Sequence, residues 1–152
     1  MIRGNEIIIS NRKARRDYFI LETFEAGIAL KGSEVKSLRN RRGNLNDSFA
    51  RIINGEVFLF NLHISPYSFS TIESPDSLRT RKLLLHKHQV RKLFGILSTG
   101  GQTLIPLKLY FKRGKVKVEL ALAKGKKQYD KRDAIKRRQH DLEIKRYLGR
   151  PR

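Results

Sequence analysis

The sequence predicts a mainly β protein with short helices, a small closed β-barrel of the oligonucleotide-binding kind followed by a basic C-terminal tail that is disordered when free. Three observations lead there. Period-two apolar runs fall into pairs around Asn54-Gly55 and Lys112-Arg113-Gly114. Helical periodicity is confined to two short stretches. The last segment, 124–152, carries too little apolar surface to offset the entropy of ordering it.

In chain order, residues 1–11 read as a flexible N-terminus ahead of the basic cluster Arg12, Lys13, Arg15 and Arg16. Tyr18-Phe19-Ile20-Leu21 and Thr23-Phe24 are aromatic and β-branched, a strand signal. Gly27 and Gly32 bracket Ile28-Ala29-Leu30, which fits a bent or bulged strand continuing past Gly27. Ser33 offers a helix N-cap, Glu34 a negative charge in the first turn and Gly43 a stop, with Val35 and Leu38 facing the core. Lys36, Arg39, Arg41 and Arg42 then sit where the helix dipole favours cations, a structural account of that cluster.

From Phe49 to Ile64 the pattern turns to period two, with Asn54-Gly55 as a type I′ hairpin signal. Phe58, Phe60, Leu62 and Ile64 share one predicted face, and Val57, Leu59, Asn61 and His63 the other. His63 reads as a hydrogen-bonded structural histidine near a strand end, and Asn46-Asp47-Ser48 as loop chemistry. Residues 65–80, with two prolines and many serines, form a loop, and Arg79, Arg81 and Lys82 add charge at its far end. Val90, Leu93, Phe94 and Leu97 then fall at i, i+3, i+4 and i+7, an amphipathic helix ended by Ser98-Thr99-Gly100-Gly101. Ile105, Leu107, Leu109 and Phe111 alternate on one strand, and Val116, Val118, Leu120 and Leu122 on the next. Pro106 marks an edge or an irregularity. The barrel domain therefore spans 12–123 and the tail 124–152.

Charge points to a polyanionic partner. The chain has 34 Lys and Arg against 14 Asp and Glu, a net +20, of which the tail carries +8 and the body +12. Nucleic acid explains both halves more economically than solubility does. On a helix, Lys124, Lys127, Lys131, Arg138 and Lys145 would form one basic stripe able to follow a phosphate backbone. A membrane surface is disfavoured because the tail lacks a broad apolar face and no stretch resembles a spanning segment. The absence of cysteine removes disulfides, thiol catalysis and thiolate zinc sites. Ile7 to Ile9 is too short for a signal-peptide core, so a cytoplasmic location is expected.

Several strings together resemble the small protein B family, the SsrA-binding proteins that bind transfer-messenger RNA (tmRNA) in bacterial trans-translation. They are Gly27-Ile28-Ala29-Leu30, Gly32-Ser33-Glu34-Val35-Lys36-Ser37-Leu38-Arg39, Asn61-Leu62-His63-Ile64, Arg81-Lys82-Leu83-Leu84-Leu85, Pro106-Leu107-Lys108-Leu109-Tyr110 and Ala121-Leu122-Ala123-Lys124-Gly125-Lys126-Lys127, closing with Asp130-Lys131-Arg132. The resemblance runs in order from about Asn11 to the C-terminus. It implies a monomeric adaptor that binds the tRNA-like domain of tmRNA, supports its aminoacylation and its delivery with elongation factor Tu, and brings it to stalled ribosomes. Alanyl-tRNA synthetase and elongation factor Tu would be partners indirectly, through the RNA.

The same resemblance implies RNA contacts at Asn11, Glu25 and Leu84, with Lys82, Arg12, Lys13, Arg15 and Arg16 as neighbouring cations. It implies that the tail, helical on the ribosome, occupies the small-subunit decoding centre and the empty message channel. Lys124, Gly125, Lys126, Lys127, Tyr129, Asp130, Lys131, Arg132, Lys136, Arg137 and Arg138 are its candidate contacts. Tyr129 and Arg16 stand where some relatives have His, so stacking and phosphate contact replace any role for a titrating imidazole. No cofactor, metal or catalytic residue is implied.

Two other functions compete. A ribosomal protein or initiation-type factor would share the barrel and the basic extension. A nuclease would need Glu25, Glu34, Asp47 and His63 to act together, but these read as caps, turns and strand ends, and His86-Lys87-His88 lacks a nearby third metal ligand.

Overall fold

The computed structural model describes residues 6–67, 75–126 and 136–143. In order the elements are β1 (Glu6–Ser10), α1 (Ala14–Asp17), β2 (Tyr18–Ile28), α2 (Gly32–Arg39), β3 (Gly43–Asn44), β4 (Phe49–Ile53), β5 (Glu56–Phe60), β6 (His63–Ile64), β7 (Arg81–Leu84), α3 (Lys87–Ser98), β8 (Thr103–Lys112) and β9 (Lys115–Gly125). Seven strands pair antiparallel in the order β1-β8-β4-β5-β7-β2-β9, and β8 also pairs with β9, so the sheet closes on itself. Closure leaves few free edges, which is how a small β protein avoids pairing with other chains. The remaining two strands, β3 and β6, form a separate short ladder.

Both predicted hairpins are present, and their turns explain their sequences. Asn54 and Gly55 have φ of 51° and 75°, and Arg113 and Gly114 have 52° and 75°. Each pair bridges directly registered residues, Ile53 with Glu56 and Lys112 with Lys115. Two consecutive left-handed residues define the I′ turn, whose twist matches that of the flanking strands.

Inside the ring, Leu59, Leu104, Leu109, Val118 and Leu120 have no exposed surface, and Leu38 of α2 and Leu93 of α3 join them in one core. Both helices thus pack onto the barrel interior. Ile105, Leu107, Ala121 and Ala123 belong to a second cluster with Ala14 of α1. Ile105 and Ala121 alternate with the core residues Leu104, Leu120 and Leu122, so this cluster lies on the opposite face of β8 and β9, where α1 covers it. The register slips between Pro106 and Lys108, the irregularity that Pro106 signalled.

Several expectations are corrected. Residues 6–10, expected to be part of a flexible N-terminus, form β1 against β8, because the edge of β8 offers partners to a run of three isoleucines. The β2 bulge lies between Ile20 and Glu22, and the strand stops at Ile28. Helix α2 is capped at Lys31, not Ser33, with the Glu34 Oε1 accepting from the Lys31 amide at 2.9 Å. Its stop is Arg41, at φ 56°, where the Arg41 and Arg42 amides donate back to the Leu38 and Ser37 carbonyls.

The Phe49–Ile64 pattern breaks at Asn61, whose φ of 62° resets the alternation. Val57 and Leu59 therefore face the core with Leu62 and Ile64, while Phe58 and Phe60 face away. On α3, Leu93 is buried but Phe94 is 60% exposed. Strand β9 runs past Ala123 to Gly125, and the Lys126 amide still donates to the Asp17 carbonyl at 2.9 Å.

Candidate nucleic-acid interface

Alternation sorts the barrel wall into inward and outward side chains. On β7, Arg81 and Leu83 are buried while Lys82 and Leu84 are exposed. On β2, Phe24 and Ala26 are buried while Thr23 and Glu25 are exposed. Gly27 pairs directly with Leu84, and a Cβ there would lie 3.2 Å from the leucine's own Cβ. Glycine thus lets Leu84 rest across the seam between β2 and β7 while staying 54% exposed. The leucine is outside the core, although its neighbours Leu83 and Leu85 pack toward it. Glu25, Lys82 and Leu84 consequently share one outer wall.

Glu25 is held rather than free. Its Oε2 accepts from the Tyr110 hydroxyl at 2.6 Å, and both of its oxygens accept from Lys112 Nζ, at 3.2 and 3.0 Å. The Tyr110 hydroxyl and then the Lys112 ammonium hold its carboxyl below the usual carboxylate range. Burial and the same carboxylate push the Tyr110 hydroxyl up, so it stays a donor. An oriented anion on a basic wall can accept from a base amino group or a ribose hydroxyl. Lys82 Nζ lies 3.2 Å from Glu56 Oε1, an exposed pair that phosphate can displace.

A second cationic region surrounds α1. Arg12, Lys13, Arg15 and Arg16 are all exposed, with Arg16 Nε 3.2 Å from Asp17 Oδ1. Gly125 and Lys124 pair with Tyr18 and Phe19, so the root of the tail lies beside the basic cluster. Lys126 Nζ donates to the Arg15 carbonyl at 3.1 Å and sits 4.9 Å from the centroid of the Phe19 ring, itself 46% exposed. Asn11 is ordered: its amide donates to the Leu107 carbonyl at 2.7 Å and its Nδ2 to the Pro106 carbonyl at 3.0 Å. Further along, residues 136–143, which include Lys136, Arg137 and Arg138, are helical with every side chain exposed. A helix with no buried face gains no tertiary stabilisation. Lys127, Tyr129, Asp130, Lys131 and Arg132 lie outside the described residues.

Arg81 is not a surface charge. It is 0% exposed, and its guanidinium reaches Glu34 Oε2 at 2.6 to 2.7 Å, with Arg79 on Glu34 Oε1 at 2.5 Å. The nuclease candidates serve other ends: Glu34 is buried in this network, Glu25 is bound to Tyr110 and Lys112, and Asp47 occupies a left-handed turn at φ 64°. No group of three His, Asp or Glu converges among the described residues. Residue reasoning missed Tyr110, Lys112 and Gly27. The shared parity of Lys108, Tyr110 and Lys112 on β8 was the signal that could have found the first two.

The model of the SmpB protein family matches residues 8–150. The chain belongs to the SmpB family. Its SsrA-binding relatives include those of Caldicellulosiruptor bescii, 62% identical over 94% of this chain and 90% of the relative, and of Enterococcus faecalis, 58% identical over 94% and 93%. A solved SmpB structure, described as tmRNA-SmpB at the centre of the bacterial ribosome, is 52% identical with a TM-score of 0.67, over 84% of this chain and 93% of that one. The barrel with a covered outer cluster is therefore the SmpB fold. No helix among the described residues is long and apolar enough to cross a membrane.

Proposed function

We propose that this chain binds the tRNA-like domain of tmRNA and delivers it to stalled ribosomes in the bacterial cytoplasm, where its basic tail enters the decoding centre and the empty message channel. The observation that carries the reading is the joint placement of Glu25, Lys82 and Leu84 on one outward wall of an SmpB-family barrel. The wall reads the RNA by shape and by a few polar contacts. Glu25 accepts, Leu84 packs on a base or sugar, and Asn11 Oδ1 accepts beside the cations of α1. Arg12, Lys13, Arg15, Arg16 and Lys82 neutralise phosphates.

Lys124 to Arg132 and then Lys136, Arg137 and Arg138 serve the ribosomal end. The barrel folds through residue 126, so the working boundary between body and arm lies after Lys126. The protein makes no bond itself; it is an adaptor and no enzyme. Alanyl-tRNA synthetase and elongation factor Tu meet it through the RNA.

The test is a competition. Labelled tRNA-like domain of tmRNA bound to the full chain is challenged with excess ordinary tRNA and generic duplex RNA near physiological salt. Retention of the label is the expected outcome. Equal displacement by all competitors would reduce the wall to a non-specific polyanion surface.

A further inference from the structure

Three phenylalanines on the hairpin β4–β5 have no role in the core. Phe49, Phe58 and Phe60 are each half-buried, yet none belongs to either apolar cluster or packs against one. Their partners on the same strand, Ala50, Val57 and Leu59, take the inward positions. The registers lay these rings out in order on the outside: Phe49 faces Phe60, Arg51 faces Phe58, and Phe58 faces Lys82. Phe49 and Phe60 stack at 5.3 Å between centroids with 14° between planes, and the Arg51 guanidinium lies 5.0 Å from the Phe49 centroid.

Lys82 is followed two residues on by Leu84, and Leu84 faces Gly27, so the row of rings runs directly into the wall that holds Glu25. Each ring keeps part of its surface outside the core, and apolar surface left against water is unfavourable unless something covers it. Cations at both margins of Phe58 identify what that is.

We propose that the outer face of β4–β5 is a base-stacking platform, a second RNA subsite continuous with the Glu25 wall. Unpaired bases stack on Phe58 and on the Phe49–Phe60 pair, and the intervening phosphates run over Arg51 and Lys82. The chemistry is that of single-strand recognition, in which aromatic rings accept any base through its π-face and adjacent cations follow the backbone. It differs from what Glu25 does, since it reads no base edge. The inference rests on the proposed function for its direction, because it is the RNA on the Glu25 wall that would continue onto the rings. Paired regions of that RNA have no exposed base faces, so an unpaired loop or junction is the element that fits.

The test uses the full chain and two probes: the labelled tRNA-like domain of tmRNA, and an eight-nucleotide single-stranded RNA carrying 2-aminopurine, whose fluorescence falls on stacking. Variants are Phe58→Leu, Phe58→Tyr, the double Phe49→Leu with Phe60→Leu, and Glu25→Gln. Leucine keeps an apolar side chain and removes the ring, and thermal melting checks that each variant folds.

Wild type is expected to quench the 2-aminopurine. Phe58→Leu should weaken both probes by roughly tenfold and abolish most of the quench, the size of losing one stacked base. Phe58→Tyr, which keeps a ring, should stay within about twofold of wild type on the same scale. Glu25→Gln should affect the tRNA-like domain alone. Wild-type affinity and quench in both leucine variants, or an absent quench in wild type, would overturn the platform. Failure of the tRNA-like domain to bind wild type specifically would count against the proposed function, and the eight-nucleotide probe would still judge the rings.

Discussion

Removing Glu34 should destabilise this barrel more than removing any exposed carboxylate. Glu34 is 3% exposed, and its two oxygens take Arg79 at 2.5 Å, Arg81 at 2.6 to 2.7 Å and the Lys31 amide at 2.9 Å. Glu34→Ala strands the fully buried Arg81, which keeps only neutral acceptors, the carbonyls of Leu62 at 2.6 Å, Arg79 at 2.9 Å and Ser77 at 3.3 Å. Breaking one side of a buried pair costs about 3–5 kcal/mol. Against a total near 10 kcal/mol for a domain of roughly 120 residues, that is a third to a half of the stability. The melting temperature should fall by roughly 10–20 °C, read by circular dichroism or calorimetry.

The double variant Glu34→Leu with Arg81→Met removes both charges, and it should be less destabilised than the sum of the singles by about 3 kcal/mol. Acid gives an independent reading. Burial would raise the Glu34 carboxyl, but the Arg79, Lys31 and Arg81 donors outweigh it and hold it below the ordinary 4.5. A carboxyl depressed in the folded state stabilises fully above its unfolded pKa, so the contribution should be constant from pH 7 to about 5. It should be lost as pH falls below 4.5 through the folded value. A fall of less than about 4 °C in Glu34→Ala, or strictly additive singles, would refute the network as a stabilising unit.

Glu25→Gln should weaken the tRNA-like RNA by roughly tenfold or more with little change in melting, because the carboxylate is exposed and its loss removes a charge-assisted acceptor; filter binding checks it. The lowered carboxyl keeps wild-type Glu25 ionised through pH 5, so affinity should stay level between pH 7 and 5. Truncation after Lys126 should leave RNA affinity and melting nearly intact and abolish tagging of stalled products, whereas truncation after Ala123 also removes the Lys124 and Gly125 pairing with β2 and should lower the melting temperature by several degrees. If about six phosphates meet the wall and α1, the log-log slope of affinity against salt should be near −5, roughly a thousandfold loss between 50 and 200 mM. An affinity that ignores salt would contradict the electrostatic account.

Much of the barrel could be read from the sequence because its turns are locally encoded. Asn54, Gly55 and Gly114 favour left-handed backbone, and the flanking runs alternate. What escaped was set by distant partners. Ile7 to Ile9 becomes a strand only because β8 has an edge to offer. Arg81 reads as one more loop cation until Glu34, 47 residues away in the chain, is seen to meet it in the interior. Asn61 is a residue type that tolerates the left-handed region, but no glycine or proline beside it marks a turn, so the alternation reads straight through the point where it resets.

The candidate site divides in the same way. Charge alone announced a polyanion, and the family resemblance supplied Glu25, Leu84 and Asn11. The partners that hold Glu25 in place are side chains of β8 more than 80 residues downstream. Only strand pairing brings them together.

The clamp on Lys126 fixes where the arm starts. From there to the helical residue Lys136 are ten residue steps, so even a fully stretched chain places that helix within about 35 Å of the α1 cluster. A ligand-binding segment confined to so small a sphere has an effective concentration in the millimolar range at any receptor inside it. If the barrel brings its RNA to a ribosome as proposed, the arm needs only weak intrinsic affinity for its own site. Under the proposed function, an arm that met an occupied message channel would fail to bind and withdraw without the complex dissociating.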